Sequence, residues 1–467
     1  MLFWHKKEGL NMYDLNKQKE AATQFVPGRK MLVVQSAVLF LFFFPLFFQL
    51  SGSIFDNPEM KFDSQGQLTQ LPIPIAAIVC FAGIALLLRL DTSQLGMGFI
   101  FAIFIAMFFA VIISTEGFSQ DELAKFILLI QFILPMFALI LGALYIRPKS
   151  EYLRFEAIAL YVLLIIVPGE VIATITSGSA LLTPYLYAFS LYQHLQYLPV
   201  IFVGFYFLSV ASLFKARILR CMVIFLAPFI GVYVSASLSA LTILLVAIVS
   251  LAAIWLLILQ RNKRFGFSVI VLLWVGFAAH YPIMQSNPTY NLKYGDERVE
   301  NMLKKVKRLK IIDSEQQESS LRHTFLYLLP GNIIERFYYW EFYGKGVLES
   351  PKKFFFGHSK RPDRNSYPSA HNYYLDLIYN FGIISLLPFL YLIFQTIKKC
   401  KAGMSHHLGC SNFAMLVLLV SFYVLIDNSL KVSFRQPYPG MMIFFLWGVL
   451  LAKPSKFEAK NRPGTSQ

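Results

Sequence analysis

Charged residues and cysteines are both scarce in this chain of 467 residues. Asp, Glu, Lys and Arg make up 15% of it and hydrophobic residues 57%, with a mean hydropathy of +0.57. A soluble domain carries about a quarter charged residues, so this composition excludes an ordinary soluble protein. The four cysteines fall in apolar runs or on the predicted cytoplasmic side, and we therefore expect no outward disulfide.

Acidic residues are also few. The chain has 26 Asp and Glu against 42 Lys and Arg, which leaves a formal charge of +16. In a soluble protein such an excess suggests a nucleic-acid partner. In a chain this apolar, the position of each charge relative to a membrane decides its meaning, and no nucleic-acid partner is predicted.

Long apolar runs are abundant. A membrane-spanning helix needs roughly 20 mostly apolar residues to cross about 30 Å of hydrocarbon. About twelve runs fit this description, and they predict an all-α polytopic membrane protein. The runs are residues 31–50, 73–90, 95–114, 124–146, 155–175, 197–213, 218–234, 237–259, 266–284, 373–397, 412–430 and 438–453.

The short loops predict an orientation, because short loops rich in Lys and Arg stay in the cytoplasm. The alternate loops at residues 51–71 and 115–123 are mostly acidic and are predicted to face outward. The basic loops, predicted to be cytoplasmic, are residues 147–154, 215–220, 261–264 and 398–401.

This orientation divides the chain into five parts. Both tails are predicted to be cytoplasmic, with nine spans before and three spans after a single large outward loop. The parts are residues 1–30 (tail), 31–284 (spans 1–9), 285–372 (periplasmic loop), 373–453 (spans 10–12) and 454–467 (tail).

The large loop is hydrophilic and basic. Residues 285–372 contain 15 Lys and Arg against 10 Asp and Glu, which suits an anionic partner such as a diphosphate. Residues 298–310 form its most basic part and predict either a solvated, headgroup-contacting face or a substrate contact. Residues 330–348 have the spacing of an amphipathic helix, expected along the outer membrane surface.

His371 stands at the end of this loop, in the first turn of the predicted tenth span. A helix N-terminus offers free N–H groups to an anion and disfavours a positive charge, so a neutral imidazole can serve there as a base beside a diphosphate. A single interfacial histidine is also a common structural residue, and its surroundings in the sequence leave both roles open.

Two segments around the loop carry more specific motifs. The first is the run His371-Asn-Tyr-Tyr-Leu with Gly-Ile-Ile-Ser-Leu-Leu further on, and the second has Arg336, Trp340, Pro351 and Gly357 in order. They resemble the H-N-x-Y-L…G-x-x-x-L-L signature and the Arg…Trp…Pro…Phe-Gly pattern of the bacterial O-antigen ligase and O-antigen polymerase family. The loop position and the number of apolar runs agree with this resemblance.

The resemblance implies a glycosyltransferase of surface-polysaccharide synthesis in the bacterial inner membrane. Its donor would be an undecaprenyl-diphosphate-linked glycan, used at the periplasmic face without metal or nucleotide. By residue match, Arg336 would hold the donor diphosphate and His371 would remove the proton from the acceptor hydroxyl. The loop has no Asp-x-Asp pair, so Arg and Lys must meet the leaving-group charge. The other predicted substrate-binding residues are Arg322, Asn372, Tyr374, Arg435 and Gly357.

The resemblance also implies partners: membrane lipid, a chain-length regulator and a flippase. Two acceptors fit the donor. A polymerase transfers the glycan to another lipid-linked repeat unit, and a ligase transfers it to lipid A-core; the chain's aromatic content and divergent eighth run favour the polymerase. A flippase is the alternative from another class, although transporters usually have repeated halves with polar sites at the membrane midplane.

The chain departs from the family at the outer end of the eighth run. Many members carry Ser-Arg there, whereas this chain has Ser235-Ala-Ser-Leu-Ser-Ala-Leu. Arg322 in the loop or Arg435 in the last outward connection is a candidate replacement. For each of these two arginines, a role as an anchor that contacts lipid headgroups at the interface is an equally supported alternative.

Several ionisable residues have weaker support. Asp376 is predicted either to orient a loop Arg or Lys or to be hydrated at the interface, and Glu170 either to function within its span or to reach water. Cys400, His406, His407 and Cys410 are zinc-type ligands whose spacing matches no common structural site, so a chance grouping is favoured. The remaining candidates are Asp427, His280, His323 and His358.

Overall fold

Helices make up nearly all of the structure. A computed structural model describes residues 29–43, 61–62, 68–70, 75–88, 90–115, 120–177, 198–213, 216–237, 240–259, 263–285, 331–362, 367, 369–407 and 411–452. The predicted all-α class is confirmed for these residues, apart from a short antiparallel hairpin of β1 (Lys61–Phe62) and β2 (Leu68–Gln70).

The helices follow the apolar runs closely. Those before the large loop are α1 (Arg29–Phe43), α2 (Ile75–Leu87), α3 (Leu90–Ser114), α4 (Gln120–Ile133), α5 (Phe137–Leu144), α6 (Phe155–Ser177), α7 (Leu198–Ser212), α8 (Arg217–Ser237), α9 (Ala240–Leu259) and α10 (Lys263–Gln285). Those of the loop and beyond are α11 (Gly331–Leu348), α12 (Pro351–Phe356), α13 (Tyr373–Phe381), α14 (Leu387–His407), α15 (Ser411–Ser421), α16 (Asn428–Leu430) and α17 (Pro437–Leu451).

The apolar helices identify a membrane-embedded protein. Within the described residues, 6 helical stretches are long and apolar enough to cross a membrane, and further apolar helices are shorter. Each of the twelve predicted runs overlaps one of these longer or shorter helices. A polytopic helical architecture is therefore shown, while the number of crossings and their orientation stay predictions.

Glycines allow two pairs of helices to pack closely. Gly231 of α8 faces the backbone of α10, and Gly276 of α10 faces the backbone of α8, so that a side chain at either position would overlap main-chain atoms. Gly142 of α5 and Gly448 of α17 are related in the same way. Small residues at such contacts are typical of helices that associate in a membrane, where close van der Waals packing replaces the hydrophobic effect.

The tenth span differs from its prediction. Residues 373–397 were expected to form one helix, but α13 ends at Phe381, a 3₁₀ turn follows over Ile383–Leu386, and α14 starts at Leu387. The break occurs at Gly382, whose φ of 73° is incompatible with a continuing right-handed helix. A second irregularity is the π-helical turn Phe422–Asp427 between α15 and α16.

The bundle has two ends that differ in character. At the end where α11, α12 and α13 pack, which we call the loop end, the Lys125 ammonium donates a 2.6 Å hydrogen bond to the His358 carbonyl. At the opposite end, the buried Glu156 carboxylate accepts hydrogen bonds from Ser212 (3.1 Å) and Asn412 (3.3 Å). The candidate site lies at the loop end.

Candidate functional site

His371 lies just before a helix. The first residue of α13 is Tyr373, and the Asn372 side chain caps the helix by accepting a 3.1 Å hydrogen bond from the Leu375 amide. The helix start was predicted correctly, but the placement of His371 within the first turn was wrong because position 372 serves as the cap. His371 has a φ of 48°, and its amide donates to the Ser369 hydroxyl over 3.2 Å. Non-glycine residues rarely adopt this backbone conformation, and those that do cluster at functional sites.

The His371 imidazole stacks on an aromatic ring of α11. Its centroid lies 5.6 Å from that of Tyr339, and the two ring planes are inclined by 26°. Tyr339 is wholly buried, so this stack seats the imidazole against α11. Arg336 precedes Tyr339 by three residues and therefore lies one turn away on a neighbouring part of the helix surface. The structure thus brings both predicted catalytic residues to the same helix.

A buried ion pair joins α13 to the connection before α17. The Arg435 guanidinium donates through Nη1 to Asp376 Oδ2, and the two side chains are 8% and 0% exposed. The guanidinium carbon lies 5.7 Å from the centre of the Phe132 ring, a cation–π contact. Arg435 Nε is buried and makes no hydrogen bond with any residue that the structure describes. Hydration of Asp376 at the interface, one of its two predicted roles, is therefore wrong.

A second buried pair lies nearby. Lys431 Nζ is 3.7 Å from Asp427 Oδ1, and the side chains are 3% and 0% exposed. The pKa of Lys431 is lowered to about 8, because burial together with the Arg336 charge lowers it by more than the Asp427 carboxylate raises it. The Arg336 charge therefore contributes to the electrostatic environment of this pair.

These residues lie on segments of the loop end that contact one another. We call the following residues the charge cluster: Arg336, Lys431 and Arg435, with the carboxylates of Asp376 and Asp427. The Tyr373 amide donates a 2.9 Å hydrogen bond to the Lys431 carbonyl, which joins the segment after His371 to the segment that carries two of the cations. Three cations against two carboxylates leave one positive charge in excess. A partly desolvated excess of this kind favours binding of an anion.

Aromatic contacts hold the segment that leads into His371. The Tyr367 ring stacks on Phe342, with centroids 3.7 Å apart, and on Tyr338 at 5.6 Å. The Tyr338 and Tyr367 hydroxyls are hydrogen-bonded, and the Tyr343 hydroxyl donates to the Tyr367 carbonyl over 3.1 Å. Tyr367, four residues before His371, is therefore fixed to α11 by ring contacts and hydrogen bonds.

His358 is held by internal contacts. Its ring stacks on Tyr379 at 4.0 Å with an 8° inclination, and its Nε2 lies 2.9 Å from the Gly346 carbonyl oxygen. Burial lowers the pKa of His358, which favours the neutral imidazole, while the hydrogen bond to Gly346 acts in the opposite direction. These contacts tie α11, α12 and α13 together, and a role of His358 in substrate binding stays a prediction.

Three other predicted substrate-binding residues also make contacts within the fold. Asn372 is the cap of α13, and the Tyr374 hydroxyl donates a 2.7 Å hydrogen bond to the Val424 carbonyl in the π-helical turn. Gly357 has a φ of 77° and lies against the backbone of Asn380. Each contact gives the residue a structural role, and substrate binding by these residues stays a prediction.

Lys125 was not identified as a candidate from the sequence. It lies in the first half of α4, is almost wholly buried, and donates to the Ser114 hydroxyl as well as to the His358 carbonyl. Its ammonium is also 5.9 Å from the centre of the Phe381 ring. A lysine in an apolar run is itself a sign of function or of a specific partner, so the run 124–146 contained a usable indication.

Several sequence-based candidates cannot be placed. Glu170 belongs to α6, but its side chain, like those of His406 and His407, is outside the described part. His280 Nδ1 lies 3.4 Å from the Ser235 hydroxyl, next to the departure from the family motif. Among the described residues, no three His, Cys, Asp or Glu side chains form a group that could hold a metal ion. Outside the described residues lie Arg322, His323, the basic segment 298–310 and Cys410.

The fold and the site together define a polytopic α-helical membrane protein with a buried, cationic cluster at one end. Comparison of the chain with family models, with curated proteins and with solved structures finds no match.

Proposed function

We propose that this chain is a membrane glycosyltransferase that polymerises polyprenyl-diphosphate-linked oligosaccharide repeat units at the outer face of the bacterial inner membrane. The observation that carries the proposal is the charge cluster next to His371. It places cations that suit a diphosphate and an imidazole that suits a hydroxyl at the same end of the helical bundle.

The cations support a diphosphate donor. A guanidinium matches two phosphate oxygens with paired N–H groups, and Arg435 retains a buried Nε that no described residue engages. Lys431, four residues earlier in the chain, and Arg336 add positive charge at the same end of the bundle. In this proposal the three cations stabilise the negative charge that develops on the leaving polyprenyl diphosphate.

The imidazole supports proton removal from an alcohol. In the proposed reaction the acceptor hydroxyl oxygen attacks the anomeric carbon of the donor, forming a new glycosidic bond. The bond between that carbon and the diphosphate oxygen breaks, and its electron pair leaves with the polyprenyl diphosphate. His371 takes the hydroxyl proton and later releases it to water, so the enzyme returns to its starting state.

The acceptor distinguishes polymerase from ligase. Both use the same donor chemistry, so the charge cluster serves either. The aromatic content of the chain and its divergent eighth run favour a second lipid-linked repeat unit over lipid A-core, and we adopt the polymerase on that basis.

The surface-polysaccharide ladder of the native host tests this proposal. Arg336→Ala and His371→Asn are compared with Lys352→Ala, which removes an exposed cation from the neighbouring helix α12. Asn tolerates the left-handed backbone of position 371 and lacks the base, so folding is preserved. Collapse of the ladder to a single repeat unit on the core in both site variants is expected of a polymerase.

Other outcomes of that comparison overturn parts of the proposal. Complete loss of attached glycan, with long lipid-linked chains accumulating, would identify a ligase. An unchanged ladder in both variants at normal protein level would contradict the catalytic assignment. A separate vesicle assay tests the flippase alternative. Transfer of intact lipid-linked glycan from one leaflet to the other, without new glycosidic bonds, would identify a flippase.

A further inference from the structure

The helix that carries Arg336 presents a row of three unlike residues. Arg336, Trp340 and Gly344 recur at four-residue intervals on α11 and therefore follow one side of the helix. Arg336 stands at one end of this row, and its charge contributes to the electrostatic environment of Lys431 and Asp427. At the other end, no heavy atom of the described residues, apart from the backbone of α11 itself, lies within 4 Å of the position that a Gly344 Cβ atom would take.

Trp340 has both an apolar surface and an unused donor. Its side chain is half-buried, and its ring meets Phe337 edge-on, with centroids 5.4 Å apart and planes inclined by 82°. The indole Nε1 is buried and has no hydrogen-bond partner among the residues that the structure describes. A buried donor without an acceptor is costly, so such a group in a native protein is a sign of an absent partner.

A sugar ring matches this combination. Its C–H face stacks on an aromatic plane, and its hydroxyls accept hydrogen bonds from an indole N–H. Beside the row lies a polar rim, since Glu341 and Lys345 form an exposed ion pair at 2.6 Å on the same helix. Hydroxyls at the edge of a stacked sugar can hydrogen-bond to these groups.

The spacing along the helix fits a sugar joined directly to a diphosphate. Four residues of α-helix rise about 6 Å, which is comparable to one sugar ring. A diphosphate at Arg336 therefore leaves its attached sugar at the level of Trp340, and the next sugar at the level of Gly344. The missing side chain at Gly344 supplies the space that the second sugar needs.

We propose that Trp340 is the stacking platform for the first sugar of a diphosphate-linked glycan, and that Gly344 keeps the position of the second sugar open. This inference rests on the proposed function, because Arg336 is taken to bind the diphosphate. It adds a specificity-determining contact to the donor site, because the protein binds the sugar attached to the diphosphate as well as the diphosphate itself.

Equilibrium binding separates the sugar contact from the phosphate contact. The dissociation constants of detergent-purified protein are measured for polyprenyl diphosphate without sugar, with one sugar and with two sugars. Trp340→Leu keeps an apolar residue, and Trp340→Phe keeps an aromatic plane. Phe355→Leu is the matched control, since Phe355 is an exposed aromatic residue on the neighbouring helix α12.

Each variant has its own expected pattern. Trp340→Leu raises the dissociation constants of both glycosylated lipids about tenfold and leaves that of the sugar-free lipid unchanged. Trp340→Phe changes the logarithm of the same dissociation constants by less than half as much. Gly344→Leu, which adds a bulky side chain with good helix propensity, weakens only the two-sugar lipid. Arg336→Lys weakens all three lipids, and Phe355→Leu changes none.

The results that overturn the inference are distinct from those that overturn the proposed function. If Trp340→Leu weakens binding of all three lipids equally, or of none, Trp340 is not a stacking platform. Unchanged binding of all three lipids is expected if Trp340 is only a membrane anchor. Wild-type protein that binds with the expected preference yet forms no glycosidic bond would remove the proposed reaction and leave the platform intact.

Discussion

Asp376 and Arg435 are 59 positions apart in the chain, and their side chains form one hydrogen-bonded ion pair in a nearly solvent-free setting. The carboxylate fixes one edge of the guanidinium, while Phe132 covers its face. A buried cation held in this way has already lost its water, so it can meet a bound anion without a further desolvation cost. Asp376 is therefore a positioning residue for Arg435.

Removal of Asp376 is predicted to destabilise the protein strongly. Asp376→Asn leaves the Arg435 charge buried without a counter-charge, which costs about 3–5 kcal/mol. Thermal unfolding in detergent, followed by intrinsic fluorescence, measures the effect. Glu341→Gln is the control because it breaks the exposed Glu341–Lys345 pair, which contributes at most about 0.5 kcal/mol. Similar shifts in melting temperature for both variants would show that the buried pair contributes no more to stability than the exposed pair.

Donor binding is predicted to weaken as pH rises through about 8. The pKa of Lys431 is lowered to about 8, so its ammonium is charged at pH 7 and largely neutral at pH 9. Loss of one charged contact raises the dissociation constant of the sugar-free polyprenyl diphosphate about tenfold between these values. Lys431→Arg stays charged and should show a flat profile, and Lys431→Met should bind weakly at both pH values. A wild-type profile as flat as that of Lys431→Arg would rule out this role.

Gly382 is predicted to tolerate no side chain. Its φ is 73°, and a Cβ atom would overlap the Phe355 carbonyl, so Gly382→Ala should cost more than about 2 kcal/mol and reduce the folded yield. Gly98→Ala is the matched control within α3, because no atom of the described residues outside the backbone of α3 lies within 4 Å of its Cβ position. That change should be neutral or stabilising by up to about 1 kcal/mol. Size-exclusion profiles and melting temperatures of the two variants test the contrast; equal behaviour would contradict it.

Lys125 is predicted to stabilise the contact between the segment after α12 and the helices α3 and α4. Lys125→Met removes the donor to the Ser114 hydroxyl and to the His358 carbonyl, at a cost of about 2 kcal/mol. Hydrogen exchange of residues 357–362 should become faster in this variant. Lys352→Met, which changes an exposed lysine of α12, should leave the exchange rates unchanged. Unchanged protection in Lys125→Met would mean that the loop is held by other contacts.

The apolar runs predicted the helices because backbone polar groups within a membrane must pair inside their own segment. The break at Gly382 was not predictable in this way. Leucine, isoleucine and phenylalanine surround it, and its positive φ follows from a close approach to Phe355 that only the folded chain contains. The prediction of a single helix over residues 373–397 failed for that reason.

The candidate site was predictable residue by residue but not as an arrangement. Arg336 and His371 were identified from motif positions, and Arg435 from its place in the last outward connection. The stacking of Tyr339 on His371 and the pairing of Lys431 with Asp427 and of Arg435 with Asp376 depend on how the segments pack, which spacing in the sequence does not encode. Lys125 could have been found by the rule that singled out Glu170, because both are ionisable residues in apolar runs.

Reconstituted polymerisation tests the central claim most directly. Wild-type protein and His371→Asn are placed in vesicles with a polyprenyl-diphosphate-linked repeat unit, and both the lengthened glycan and the released polyprenyl diphosphate are quantified. The account predicts equal amounts of new glycosidic bond and released diphosphate for the wild type, and a rate about 10²–10⁴-fold lower for His371→Asn with unchanged melting temperature. Wild-type protein that releases no diphosphate and lengthens no glycan, while the folded state is intact, would contradict the account.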